Sequence, residues 1–203
     1  MSWGFSMDDN DPHLRRLTDA RAIRAWTHPL RLRLHGLIGR DGPITAAEAA
    51  RRLGISHALA SHHLRQLEKY GFIERSAAAD ERERPWRILH TSTVRGPNLD
   101  QDAEAASGAL EQLMAERAVE DVQDWQRRRS QMSAHWREHS GVSQSLIYLT
   151  ADEMAELSAA LDSVLLPLVE RRRLGDAAAR PAGALPVSVT IVGVPLQPTD
   201  SGG

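Results

Sequence analysis

The sequence predicts a mainly helical protein with a small amount of β structure, an α+β arrangement in three successive parts. Three observations support this prediction. Two short capped helix patterns meet at a glycine between Thr45 and Gly71, and a long near-heptad apolar pattern follows Gly96-Pro97. Near the C-terminus, alternating apolar residues flank a further helix pattern. The 203 residues suffice for one large domain or two small ones.

Charge divides the chain into a basic and an acidic half. Residues 13–95 carry 16 Lys and Arg against 8 Asp and Glu, a net charge of +8, whereas residues 96–203 carry a net charge of −7. This asymmetry favours a phosphate-facing module joined to a part that does not face DNA. The chain has no cysteine, which excludes disulfides and thiolate metal sites and fits a cytoplasmic protein. Neither a signal peptide nor a transmembrane helix is expected, so we expect no membrane partner.

Two helices are predicted before Thr45. Thr18 can cap a helix over residues 19–27, which His28-Pro29 interrupts because the residue before a proline avoids the α region. A second helix is expected from Pro29 to about residue 40, followed by the turn at Gly42.

The segment from Thr45 to Gly71 has the pattern of a helix-turn-helix. Thr45 and Glu48 form a capping-box pattern at the start of the first helix, and Gly54 is placed to end it. Ser56 can cap the second helix, whose inward stripe is Ala60, Leu64 and Leu67. The second helix of such a pair enters the DNA major groove.

Small, polar and basic side chains occupy the opposite face of the second helix, which is what a recognition helix needs. Arg65 and His62 are expected to read bases, and Ser56, Ser61 and Thr45 to contact phosphates. The predicted groove-facing residues are Ser56, His57, Ala58, Ser61, His62 and Arg65. His63 is expected to pack and to form hydrogen bonds rather than to read bases.

Two strands joined by a charged loop are predicted next. Residues 72–75 form the first, and residues 84–91 the second, with alternating side chains. A loop of this kind, a wing, can place Arg82 and Arg84 beside phosphates or in the minor groove. The acidic residues of the same loop leave open that it is only a solvated hairpin.

The block from about residue 18 to residue 93 resembles the ArsR family of winged helix-turn-helix regulators. The resemblance rests on HPLRLRLHGLI, TAAEAARRLGISHALASHHLRQLEKYGFI and RERPWRILHTS. It implies a dimeric DNA-binding repressor or activator with wing contacts near Arg82 and Arg84. The cysteines with which some members sense soft metals are absent here, so the mode of sensing does not carry over.

Residues 98–139 predict one very long helix. Its apolar residues follow spacings of four and three with one phase shift, which indicates a dimerisation helix. The alternative is a helix that folds back on its own domain. Residues 143–196 predict a strand-helix-strand unit for dimerisation or sensing, with strands over 143–149 and 185–196 and a helix that opens at the capping box of Thr150.

Three interpretations of the acidic half stay open. A small-molecule effector could bind an apolar pocket lined by Trp125, Met132, Trp136 and Tyr148, or the half could serve only for dimerisation. Alternatively, His135 and His139, spaced i, i+4 with Glu138 adjacent, could bind a metal in a metal-responsive regulator, although a complete site needs about four ligands.

These patterns together predict a sequence-specific transcriptional regulator that binds double-stranded DNA as a homodimer on a pseudo-palindromic operator. Its domains are expected at residues 13–95, 98–139 and 143–196. No cofactor is expected, and no enzyme motif such as HExxH or GxSxG is present. A winged helix that binds protein instead of DNA remains the alternative, against which the charge of +8 argues.

Overall fold

A computed structural model describes residues 14–76, 84–90, 92–172, 174–176 and 178–196. Within these ranges the protein is mostly helical with two small two-stranded sheets, the winged helix-turn-helix fold class predicted from the sequence. No helix of the described ranges is both long and apolar enough to cross a membrane. The elements in chain order are β1 (Leu14–Leu17), α1 (Ala20–Trp26), α2 (Pro29–Asp41), α3 (Ala46–Leu53), α4 (His57–Lys69), β2 (Ile73–Arg75), β3 (Trp86–Ile88), β4 (Ser92–Arg95), α5 (Gln101–Arg128), a 3-10 turn (Arg129–Gln131), α6 (Ala134–Glu138) and α7 (Ala151–Arg171).

Helices α3 and α4 each start at a side-chain cap. The Thr45 hydroxyl accepts from the Glu48 amide at 3.2 Å, and the Ser56 hydroxyl accepts from the Leu59 amide at the same distance. Gly54 ends α3 at φ 66°, a left-handed conformation in which a Cβ would be strained. The capping box also predicts a bond from the Thr45 amide to the Glu48 carboxylate. Among the described residues this bond is absent, and the Glu48 carboxylate instead pairs with Arg52 one turn later.

The wing strands β2 and β3 are antiparallel, with Ile73 opposite Ile88 and Arg75 opposite Trp86. Ile44, before α3, extends this ladder, because its amide and carbonyl bond to the carbonyl and amide of Trp86 at 3.1 and 2.9 Å. The second wing strand, Trp86–Ile88, is shorter than the predicted 84–91.

A second sheet was not predicted. β1 pairs in parallel with β4 along its whole length, from Leu14 opposite Ser92 to Leu17 opposite Arg95. This pairing returns the chain from the wing to the start of α1. It therefore fixes where α5 leaves the domain.

The core lies within residues 17–106. Trp26 of α1 stacks on Phe72 with ring centroids 4.3 Å apart, and Leu34, Leu64 and Leu67 are fully buried around them. α5 joins this core only through its first turns, where Ala103, Ala106 and Ser107 are buried. Small residues allow two helix backbones to approach closely, and α5 packs mainly on α1.

One long helix to residue 139 was predicted, and this was wrong. α5 begins after Asp100, whose carboxylate accepts from the Ala103 amide at 2.8 Å, and it ends at Arg128. A 3-10 turn follows, and the Ser133 hydroxyl then caps the short α6 by accepting from the Trp136 amide at 3.4 Å. No described residue of α5 beyond Ser107 is buried, so local capping rather than packing decides where the helix stops.

The two predicted C-terminal strands are also wrong. Residues 142–150 and 184–196 are not strands, and nearly all of them are exposed. A strand is stabilised by its neighbour, and neither segment has a hydrogen-bonded partner strand among the described residues. The predicted helix between them is confirmed as α7, with the Thr150–Glu153 capping box formed in both directions.

The chain after α7 returns to the helix-turn-helix part. The Gly175 amide donates to the Gly39 carbonyl of α2 at 2.7 Å, and the Leu174 side chain lies beside Gly39. The Arg180 guanidinium donates to the same carbonyl at 3.4 Å. α7 itself has no buried residue, and its Leu157, Val164 and Leu168 side chains are exposed in the single chain.

Candidate nucleic-acid interface

α4 presents a polar face to solvent because its apolar stripe is buried. Ala60, Leu64 and Leu67 are each fully buried, and they fix the rotation of the helix about its axis. On the opposite face, His57, Ala58, His62 and Arg65 are exposed, and Ser61 is half-buried. The structure therefore brings the predicted groove-facing side chains onto one exposed surface.

Arg65 is arranged along the helix axis. Its Nε donates to the Ser61 carbonyl at 3.3 Å, which directs the guanidinium toward the N-terminal half of α4. A guanidinium can donate two parallel hydrogen bonds to guanine O6 and N7. The arrangement thus places such a donor on the exposed helix face.

Thr45 and Ser56 each use the side-chain oxygen as a helix cap. Capping leaves other first-turn amides without helical partners. Such amides bind phosphate oxygens when a helix N-terminus meets a nucleic-acid backbone. The two caps are thus compatible with the phosphate contacts expected from the sequence.

The wing is described only at its base. Arg82 lies outside the described residues, whereas Arg84 is described and exposed. Arg75, which the sequence analysis did not single out, holds the base: its guanidinium lies 3.4 Å from the Trp86 ring centroid and donates to the Arg84 carbonyl at 2.7 Å. The signal for this role was the arginine at the end of the predicted strand, directly before the loop.

His63 is buried against α2, as expected from the sequence, but its Nδ1 has no hydrogen-bond partner among the described residues. Its ring lies 4.5 Å from that of His28, whose Nδ1 caps α2 by accepting from the Leu30 amide at 3.2 Å. Burial is the main cause that lowers the pKa of His63 to about 4, and the neighbouring His28, Arg31 and His62 contribute to the same shift. Burial is also the main cause of the lowered pKa of His28. A neutral imidazole pair therefore lies directly beneath the exposed face of α4.

The predicted effector-pocket residues do not all meet. Trp125, Met132 and Trp136 are half-buried near the end of α5 and in α6, but the Tyr148 side chain is 102% exposed. Tyr148 therefore lines no pocket with the others in the described chain. His135 and His139, by contrast, are brought together, with ring centroids 4.7 Å apart.

A family model described as a helix-turn-helix domain matches residues 27–76. This range covers α2, α3, α4 and the first wing strand. The match supports a DNA-binding helix-turn-helix in a transcriptional regulator, at the level of the domain. It does not confirm the ArsR family, which stays a prediction. No curated protein matches the sequence.

Several solved structures of bacterial regulators are similar over most of their length. A double mutant of ZitR from Lactococcus lactis in apo form is 16% identical, with 71% of this chain and 86% of that chain covered and a TM-score of 0.32. Wild-type MarR from E. coli in apo form is 17% identical, with 73% and 88% covered and a TM-score of 0.31. A mutant of S. aureus MepR bound to an oligodeoxyribonucleotide is 18% identical, with 72% and 86% covered and a TM-score of 0.30. At these scores the likeness carries no argument about function.

Proposed function

We propose that the protein is a sequence-specific DNA-binding regulator that inserts α4 into the major groove. The observation that carries this proposal is the two-sided character of α4. Three fully buried side chains fix its rotation, and the opposite face presents imidazole, hydroxyl and guanidinium groups. The +8 charge of residues 13–95 supplies the attraction for phosphates that every such protein needs.

Within this proposal each polar residue has a role set by its position. Arg65 and His62 read base edges, and Ala58 allows the backbone to approach the groove. Thr45, Ser56 and Ser61 contact phosphates and set the register, and His57 lies at the groove-facing start of the helix. Arg82 and Arg84 extend the contact to the neighbouring minor groove or backbone.

We further propose that the protein acts as a homodimer through α5 and α7. α7 has no buried residue, and Leu157, Val164 and Leu168 on it are 36%, 65% and 43% exposed. On α5, Met114 and Val119 are likewise exposed. Exposed apolar side chains on the two longest helices favour a second copy of the same chain as the partner. Two α4 helices about 34 Å apart would then read a pseudo-palindrome. The repressor role and the relation to the ArsR family belong to the same proposal.

Selection of bound fragments from genomic DNA with the purified full chain tests the function. We expect enrichment of one motif with two inverted half-sites about 10 base pairs apart, centre to centre. Binding to random duplex should weaken steeply as salt rises, because phosphate contacts release counterions. No enrichment together with a flat salt dependence would instead favour a winged helix that binds protein.

Sedimentation velocity tests the homodimer separately. Val164→Asp places a charge in the apolar stripe of α7, and we expect it to shift the protein toward the monomer. Ser163→Asp adds the same charge at the neighbouring exposed position and should leave the dimer intact. A monomeric wild-type protein at micromolar concentration would refute the dimer without bearing on α4.

A further inference from the structure

Two imidazoles and one carboxylate converge on one side of α6. His135 and Glu138 lie on the helix, and His139 follows it directly as the C-terminal cap. One ligand atom from each of the three residues lies within 4.8 Å of the other two. Spacings of i, i+3 and i+4 place all three side chains on the same helix face. The two imidazole planes meet at 80°, so the rings are not stacked face to face.

The backbone that carries these groups is held on its N-terminal side. The Ser133 hydroxyl accepts from the Trp136 amide, and the Arg137 guanidinium donates to the Met132 carbonyl at 2.6 Å. The three side chains themselves are exposed. Among the described residues, the Glu138 carboxylate has no hydrogen bond or ion pair. A metal ion could therefore bind these three exposed side chains without first ordering the backbone of α6.

The ligand set selects the class of metal. Two imidazole nitrogens and one carboxylate oxygen match zinc sites with three protein ligands, in which a fourth position stays open for water or another small ligand. Magnesium and calcium prefer oxygen ligands throughout, so this set disfavours them. Around a tetrahedral zinc ion with bonds of about 2.1 Å, ligand atoms lie about 3.4 Å apart. Exposed side chains can close the remaining separation by rotating.

We propose that His135, Glu138 and His139 form a zinc site within a single chain, with one coordination position open. The ion would cross-link the last turn of α6. Its neighbour in sequence is Trp136, a half-buried indole whose fluorescence offers a local signal of binding. The site lies outside the helix-turn-helix domain match at residues 27–76, so it shares no residue with the proposed DNA contacts.

Equilibrium dialysis of the full chain against zinc chloride tests the site. We expect one zinc ion per chain, accompanied by a change in tryptophan fluorescence that Trp136→Phe removes. The variant His135→Ala/His139→Ala should bind at least about 100-fold more weakly, because only a carboxylate remains of three ligands. Glu138→Gln keeps both imidazoles and should bind about tenfold more weakly.

The matched control removes two other exposed histidines, His57→Ala/His62→Ala, and should bind zinc as the wild type does. Circular dichroism of every variant verifies that the helices persist. Zinc binding that is absent from the wild type, or unchanged in the His135/His139 variant, would overturn the site. Unchanged affinity in Glu138→Gln would overturn the three-ligand arrangement. None of these measurements involves DNA, so failure of the zinc site leaves the proposed function untouched.

Discussion

The imidazole of His28 lies 4.5 Å from the imidazole of His63, so the residue that caps α2 contacts the buried side of α4. His63 is 7% exposed, and its Nδ1 has no hydrogen-bond partner among the described residues. Arg31 of α2 and His62 of α4 add positive charge around it. The buried side of α4, the helix that carries the proposed base contacts, thus packs on imidazoles whose protonation is unfavourable.

Mild acid should therefore destabilise the fold. The pKa of His63 is lowered to about 4 by burial, and that of His35 is lowered to about 4 for the same reason. Between pH 6.5 and 4 the unfolded chain binds protons that the folded chain does not, so stability is full above pH 6.5 and falls as the pH drops. Each histidine should contribute a loss of about 2 kcal/mol between pH 7 and pH 5.

Urea unfolding at pH 7 and pH 5 measures this loss. His63→Leu removes one of the titrating groups and should flatten the pH dependence, whereas His57→Leu, at an exposed position of the same helix, should not. Equal pH dependence in all three proteins would exclude His63 as a cause.

Arg65→Ala should weaken specific DNA binding by about 1–3 kcal/mol, because it removes a donor pair to guanine. Fluorescence anisotropy with the selected operator measures the affinity. Arg33→Ala removes an exposed arginine from α2 and is expected to change the affinity far less. If both variants lose the same affinity, Arg65 contributes only general charge.

The glycine at the helix-turn-helix corner should not tolerate alanine. Gly54 has φ 66°, so Gly54→Ala should lower the free energy of unfolding by about 1–2 kcal/mol. Gly36→Ala is the matched control, because Gly36 lies inside α2 with no atom within 4 Å of a built Cβ. It should raise the free energy of unfolding by about 0.5–1 kcal/mol. Thermal unfolding of both variants measures whether Gly54→Ala lowers the stability and Gly36→Ala raises it.

Arg75→Ala should loosen the base of the wing. The guanidinium lies over the Trp86 ring and bonds the Arg84 carbonyl, so its removal should cost about 1 kcal/mol of stability. Arg87, which lies beside Trp86 and pairs with Glu74 on the exposed side of the wing, provides the control. Arg87→Ala should change the free energy of unfolding by less than about 0.5 kcal/mol. A larger loss in Arg87→Ala than in Arg75→Ala would contradict the role of Arg75.

Local chemistry made the helix-turn-helix predictable. The caps at Thr45 and Ser56 and the glycine at residue 54 act within four residues, so their effect can be read from the sequence alone. The exposed face of α4 follows from the same helical period. Contacts between distant segments could not be read in this way. The pairing of β1 with β4 joins Leu14 to Ser92, and no local pattern encodes that choice of partner.

The predicted strands and the predicted long helix of the acidic half were wrong for a different reason. Alternating apolar residues over 143–149 and 185–196 are compatible with strands, but a strand forms only where a neighbour offers its hydrogen bonds. The end of α5 was missed as well, because no residue of its outer turns is buried and the apolar spacing there did not reflect packing in the chain. The predicted apolar seam continues past Arg128, yet the capping serine at residue 133 starts a new helix. Periodicity describes which face could pack, and it does not supply the partner.

Because α5 packs on the core only near its start, a small tilt there displaces its far end by several ångströms. Its buried residues, Ala103, Ala106 and Ser107, all lie in the first two turns, and Leu113 is the last residue packed against the core. The remaining 15 residues extend about 22 Å beyond that point. A tilt of about 10° at the attached end would move the far end by about 4 Å. In the proposed homodimer, a small rearrangement where α5 meets α1 would therefore change the distance between the two α4 helices.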